Sequence, residues 1–140
     1  MTFSRSLQYE TRGATQVIDI HRDVLHAVAE SGVRSGICVV HVVGSTASIT
    51  TTEAEPGLVK HDLKAFFERI APEGGFYQHE ATWDDDNGHA HVRASCVGPS
   101  VSLPIVDGRL AVGTWQQVVL IDFDTRPRQR QVIVQVVGER

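Results

Sequence analysis

The chain has 140 residues, enough for one domain that buries roughly two thirds of the surface its unfolded form exposes. Hydrophobic residues make up 41% and charged residues 21%, close to globular averages, and no apolar run approaches a membrane span. A net charge of −4 with histidines neutral argues against a protein that grips nucleic acid through surplus Lys and Arg.

Met1–Tyr9 alternates polar and apolar residues without the basic start and apolar core of a signal peptide, which predicts a cytoplasmic protein. Phe3–Glu10 and Gln16–Ile20 read as strands. Arg22–Ser31 reads as a helix: Val24, Leu25, Val28 and Ala29 fall at helical spacing, and Gly32 supplies a stop. Ile37–Val43 is the next strand. Pro56 opens a second helix whose apolar stripe is Leu58, Leu63, Phe66, Phe67 and Ile70, and Pro72 ends it.

Ala71–Asn87 is the longest stretch expected to be irregular. Strands then follow at His89–Val97, Ser102–Val106, Gln117–Phe123 and Gln131–Val137. Asp107-Gly108 marks a tight hairpin after Val106, with Leu110–Val112 beginning the return arm. Cys38 and Cys96 each sit in an apolar run, where a buried reduced thiol is the commoner state. The expected class is α+β: one domain over residues 1–140, a β-sandwich-like mixed sheet with two main helices, and an exposed sheet face buried by oligomerisation.

His89 and His91 are the leading site candidates. On a strand, alternate side chains share a face, so both imidazoles would point at one spot, with Asp84, Asp85 and Asp86 orienting them. His79 becomes a third ligand if its loop folds back, and three nitrogens with an open position suit a catalytic divalent metal, zinc or magnesium. A solvated strand end and an exposed loop histidine are the plainer alternatives. His41 is expected to be a hydrogen-bonded core or interface residue, and His21 and His26 to lie on the surface. Asp62 follows His61 on the second helix and either faces the site or is solvated.

Gly44-Ser45-Thr46-Ala47-Ser48 brings small and hydroxylated residues to the end of a strand. Ser45, Thr46 and Ser48 suit close approach to a ligand, although a polar turn explains them equally well. Eleven arginines stand among the 13 basic residues, and Arg126, Arg128 and Arg130 alternate, so in extended chain they could hold a diphosphate. Charged residues guarding a sheet edge are the competing explanation. Trp115 and Gln116 put an aromatic beside an amide ahead of a strand, where Trp115 could equally be core.

Taken in order, Ser45-Thr-Ala-Ser-Ile49, Glu53, His61-Asp62, Tyr77 with His79, Asp86-Asn-Gly-His-Ala-His91, Gly98-Pro-Ser100, Pro104, Gly108, Gly113-Thr-Trp-Gln116 and Arg126-Pro-Arg128 resemble the YjbQ-like family. The likeness covers nearly the whole chain. It implies a homotrimer with a site near the subunit boundary, lined by His79, His91, Asp62 and Asp86. It also implies, through a label often attached to the family, a transferase that forms thiamine phosphate. We take Asp62, Asp86, Trp115 and Gln116 as catalytic candidates and a small phosphorylated molecule as ligand. A noncatalytic trimeric binding protein and a metal-dependent hydrolase are the alternatives. This chain departs from the family pattern at Gly44, where a histidine is usual, and at Thr52, where an asparagine is usual, so His89 would have to replace an absent ligand.

Overall fold

The structure is a computed structural model describing residues 1–140. Its strands form two sheets, and every pairing is antiparallel. The larger sheet has the order β1 (Thr2–Thr11), β8 (Arg128–Glu139), β3 (Ser35–Val42), β5 (Ser100–Val106) and β6 (Arg109–Leu110). The smaller sheet has β2 (Gln16–Asp19), β7 (Gln117–Asp122) and β4 (Ala47–Thr52).

Alternation fixes which side of each strand is inside. Cys38, Val40 and Val42 of β3 face the same way as Val132, Val134 and Val136 of β8, and all six are fully enclosed. They pack on Val118, Leu120 and Ile49 of the smaller sheet and on Val24, Ala27 and Val28 of α1 (His21–Ser31), which Gly32 ends in a left-handed conformation. The other side of β7 presents Val119 and Ile121, followed by Phe123, to a second cluster with Phe67, Ala90 and Ala94. The layers therefore run large sheet, small sheet, and then the helices of residues 58–97, with α1 packed into the core of the large sheet. Strand β7 is the one enclosed on both sides, which is why Val118-Val-Leu-Ile121 reads as a continuous apolar run rather than an alternating one.

The helical layer departs from expectation in three places. His89–Val97 is not a strand: Gly88–Val97 is a helix, α4, whose buried residues Gly88, His89, Ala90, Arg93 and Ala94 recur at helical spacing. Two alanines and an arginine favour helix more than the histidines suggest strand. The stretch between Ala71 and Asn87 contains a short helix, α3 (Gln78–Trp83). The second predicted helix begins as a π-helical turn, Leu58–Asp62, and continues as α2 (Leu63–Ile70). At its start Glu55 accepts from the N–H groups of Gly57 at 2.9 Å and Leu58 at 2.8 Å, and these bonds lower its pKa.

One strand was hidden. Ala47-Ser-Ile-Thr-Thr-Thr52 is polar by composition, but β-branched residues fill it, Ala47 and Ile49 face the main core, and Ser48 donates to Ala94 O on α4 at 3.2 Å. The hairpin at Asp107-Gly108 is as expected, with φ of 51° and 79°.

Candidate functional site

Chemistry concentrates where β7 ends, β8 begins and α4 starts. Helix geometry first separates the two leading histidines. Residues two apart on a helix point about 200° from one another, so His89 and His91 do not share a face as they would on a strand. His91 is partly exposed and meets His79, with ring centroids 4.5 Å apart and a 45° tilt. His89 is only 2% exposed and turns to Tyr77, with centroids 6.4 Å apart.

The first turn of α3 thus straddles the first turn of α4. Gly88 permits the approach: a Cβ there would lie 2.6 Å from Tyr77 Cβ, and its N–H donates to Glu80 Oε1 at 2.5 Å. Three buried side-chain atoms at this junction lack a hydrogen-bond partner: His79 Nδ1, His89 Nδ1 and Asn87 Oδ1. Burial, reinforced by the Arg93 cation, lowers the pKa of His89, while nearby Glu73, Glu80 and Glu68 oppose that shift. Arg93 itself is spent on structure, donating to Ala71 O, Thr15 Oγ1 and Glu68 Oε2 at 2.8–2.9 Å.

Asn87 connects this junction to a buried charge network, through a long 3.5 Å contact from Nδ2 to Asp124 Oδ1. Asp122 and Asp124 are fully enclosed at the end of β7. Arg130 donates to both oxygens of Asp122, from Nε at 2.7 Å and Nη2 at 2.9 Å, and Nη2 also reaches Thr46 Oγ1 at 2.7 Å. Thr11 Oγ1 donates to Asp122 at 2.5 Å. Asp124 accepts from Thr46 Oγ1 at 2.9 Å, Thr125 N–H at 2.7 Å and Arg128 Nε at 3.0 Å. Burial alone would raise the pKa of Asp124, but these donors and the Arg128 charge together hold it below the ordinary value.

The arginine trio does not form one open face. Arg130 is buried against Asp122, Arg128 is paired with Asp124, and Arg126 lies on the bend before β8. Arg126 Nη2 stands 3.8 Å from Asp85 and 3.7 Å from Asp86, a solvated arrangement that adds little to stability. Asp86 joins the network by accepting from Thr125 Oγ1 at 2.9 Å. Ser45 is exposed on the turn before β4, Thr46 is buried in the network, and Ser48 is committed to α4.

Three catalytic candidates stand apart from this junction. Asp62 is exposed on the π-helical turn. Trp115, 74% exposed, and Gln116, bonded to Thr51 Oγ1 at 3.0 Å, precede β7. That is the opposite end of a six-residue strand, about 17 Å from the acids at its close. His41 lies on the outer side of the large sheet, its Nδ1 2.5 Å from Ser100 Oγ.

A zinc-type centre requires three or four protein ligands. One chain brings two imidazoles together, and no set of three His, Cys, Asp or Glu side chains adopts metal-holding geometry within it. The residues of a single chain therefore do not fit such a centre.

Asp122 and Asp124 carry the network and were not singled out from the sequence. Their signal is two acids closing an otherwise apolar run, Val118-Val-Leu-Ile-Asp-Phe-Asp124, with Arg128 and Arg130 following. No helix is long and apolar enough to cross a membrane.

Comparison with known proteins extends along the whole chain. The family described as UPF0047 protein YjbQ-like matches residues 5–139. A UPF0047 protein of a Synechocystis species is 40% identical over 129 residues, covering 90% of this chain and 88% of that one. The UPF0047 protein YugU of Bacillus subtilis is 33% identical, covering 96% and 98%. Among solved structures, a hypothetical protein of Aeropyrum pernix superposes with a TM-score of 0.91 at 34% identity, covering 98% of this chain and 99% of that one. A YbjQ-like protein of unknown function from Sulfolobus solfataricus gives 0.87 at 30% identity, covering 99% and 100%. With the family model matching residues 5–139, and the α+β fold shared with structures at least 30% identical along nearly the whole chain, the chain belongs to the YjbQ-like family, UPF0047.

Proposed function

We propose that the junction of α3, α4 and the β7–β8 connection is the active site of a transferase acting on a small phosphorylated molecule, with thiamine phosphate formation the reaction to test first. The observation that supports this reading is the set of orphaned buried atoms, His79 Nδ1, His89 Nδ1 and Asn87 Oδ1, beside the paired rings of His79 and His91. Buried polar groups nearly always have partners, so unpaired atoms at the α3–α4 contact, His79 Nδ1 on the His91 side and His89 Nδ1 on the Tyr77 side, support a ligand bound near it. In the proposed reaction a thiazole nitrogen attacks the methylene carbon of a pyrimidine diphosphate. The C–N bond forms as the C–O bond breaks, and diphosphate departs with the bonding pair. His79 and His91 would donate to the departing oxygens, and the Asp122–Arg130 and Asp124–Arg128 pairs would hold the surrounding walls in place.

We place this site at a subunit boundary of a homotrimer. Ile37, Val39, Ile133, Val137 and Pro104 share the outer side of the large sheet, and Ile37 and Val137 are about half exposed. Assembly would cover that side and give the distant Trp115 and Gln116 a route to a neighbouring copy's histidines. A divalent metal, zinc or magnesium, would then draw ligands from more than one chain.

Untagged protein incubated with the two thiamine precursors, with and without each metal, tests the reading, and elemental analysis of the same sample tests the metal. We expect product from the native protein and at least a hundredfold loss in His91→Ala. Absence of product under every condition, together with intact complementation of a thiamine-requiring strain by His91→Ala, would remove it. The second reading, a noncatalytic binder of the same ligand class, is favoured by the arginines: two of the three are already neutralised by aspartates. It predicts saturable binding without turnover.

A further inference from the structure

Ion pairing leaves one part of the Arg130 guanidinium unused. Its Nε and Nη2 are held by Asp122 and Thr46, while Nη1 makes no hydrogen bond within the chain. Arg130 is only 7% exposed, and its Nη1 lies under the turn that leads into β4. A Cβ built on Gly44 would stand 2.9 Å from it. Gly44 also has φ +137°, a conformation that side-chain-bearing residues rarely adopt.

The backbone of the same turn is equally unused. Val43 N–H donates to Gln131 O at 3.0 Å, and β4 pairs with β7 from Ala47 onward. Between them the N–H groups of Gly44, Ser45 and Thr46 make no hydrogen bond to the protein. Three successive backbone donors lie in the turn beside a guanidinium whose other edge is held by Asp122, with Asp124 on Thr46, and such a donor set resembles those by which proteins hold oxyanions.

We infer that Gly44 determines what this site accepts: lacking a side chain, it opens Arg130 Nη1 and the turn's N–H groups to the oxygens of a phosphoryl group. Any larger residue at position 44 covers that nitrogen. The inference rests on the phosphorylated-ligand reading above and assigns its phosphate to a defined place. Because Asp122 already compensates the Arg130 charge, the selectivity comes from directed donors rather than from net positive potential. A tetrahedral oxyanion with several acceptor oxygens uses four such donors better than a planar carboxylate does.

The test is an NMR titration of 15N-labelled protein with inorganic phosphate, pyrophosphate and acetate, at ionic strength held constant with sodium chloride. Saturable shifts are expected at the Gly44, Ser45 and Thr46 amides and the Arg130 side chain with the two phosphates. Acetate should bind at least tenfold more weakly. Gly44→Ala, with the rest of its spectrum unchanged, should lose at least tenfold in phosphate affinity. Shifts that never saturate, that lie away from the turn, or that persist undiminished in Gly44→Ala overturn the inference. Should Gly44→Ala fail to fold, the native titration decides alone. Saturable binding at the turn without any product leaves this inference standing and removes the enzyme reading; product formation with no response at the turn does the reverse.

Discussion

Replacing Asp122 with alanine should be among the most damaging single changes in this protein. Asp122 is fully enclosed and accepts two bonds from Arg130, at 2.7 and 2.9 Å, one from Thr11 at 2.5 Å, and one from the Asp124 N–H at 2.9 Å. Breaking a buried ion pair costs about 3–5 kcal/mol, because the surviving charge is left without compensation. Two hydrogen bonds to charged groups, at about 1.5–3 kcal/mol each, give a consistent figure. Urea unfolding followed by circular dichroism, at one fixed protein concentration, measures it. With a slope near 2 kcal/mol per molar urea, the midpoint should fall by roughly 2 M. Asp122→Leu combined with Arg130→Met removes both charges and should recover part of the loss, the Thr11 hydroxyl and the Asp124 N–H still lacking their acceptor. A single variant destabilised by less than about 1 kcal/mol would refute the reasoning, as would a double variant no better than the single.

Phe67→Ala should cost about 3–5 kcal/mol by the same assay, since Phe67 packs edge-on against Phe123 at 4.9 Å in the cluster beneath α4. The two cysteines should differ sharply toward a thiol reagent: Cys96 is exposed, whereas Cys38 is enclosed and burial pushes its pKa up to about 11. One thiol per chain should react in the native protein and two in denaturant. His89 should give stability a pH slope below neutrality. Its folded pKa lies below 6.5, so the unfolded chain binds more protons between the two values. Stability is therefore full above 6.5 and falls as pH drops toward the folded pKa. His89→Gln, followed by thermal unfolding from pH 7.5 to 5, should flatten that slope, and an unchanged slope would contradict the assignment.

The sheets were legible because their signal is local. Apolar runs such as Ile37–Val43 and Gln131–Val137 need only alternation to declare which side is inside. Residues 88–97 misled because His89 and His91 invite pairing by strand parity, whereas the buried set at 89, 90, 93 and 94 follows a helical period. Strand β4 was obscured because its start falls in the hydroxyl-rich Gly44–Ser48 stretch, which resembles a polar turn until β7 supplies a partner. The site divided in the same way. His79, His91, Asp86 and Arg130 stand out as candidates by residue type. The Asp122–Arg130 bond does not, since it depends on the turn that brings β8 back past the end of β7.

Strand β7 has both of its sides enclosed, and it ends in the acids that hold Arg128 and Arg130. Its amide protons have no local opening that exposes them, so they should exchange with solvent only when the entire chain unfolds. The acids at its end share that rigidity. Thr46, bonded to Arg130 and Asp124, is fixed with them, whereas the exposed Ser45 and the short helix α3, which buries no residue fully, lie over this electrostatic floor without such anchors.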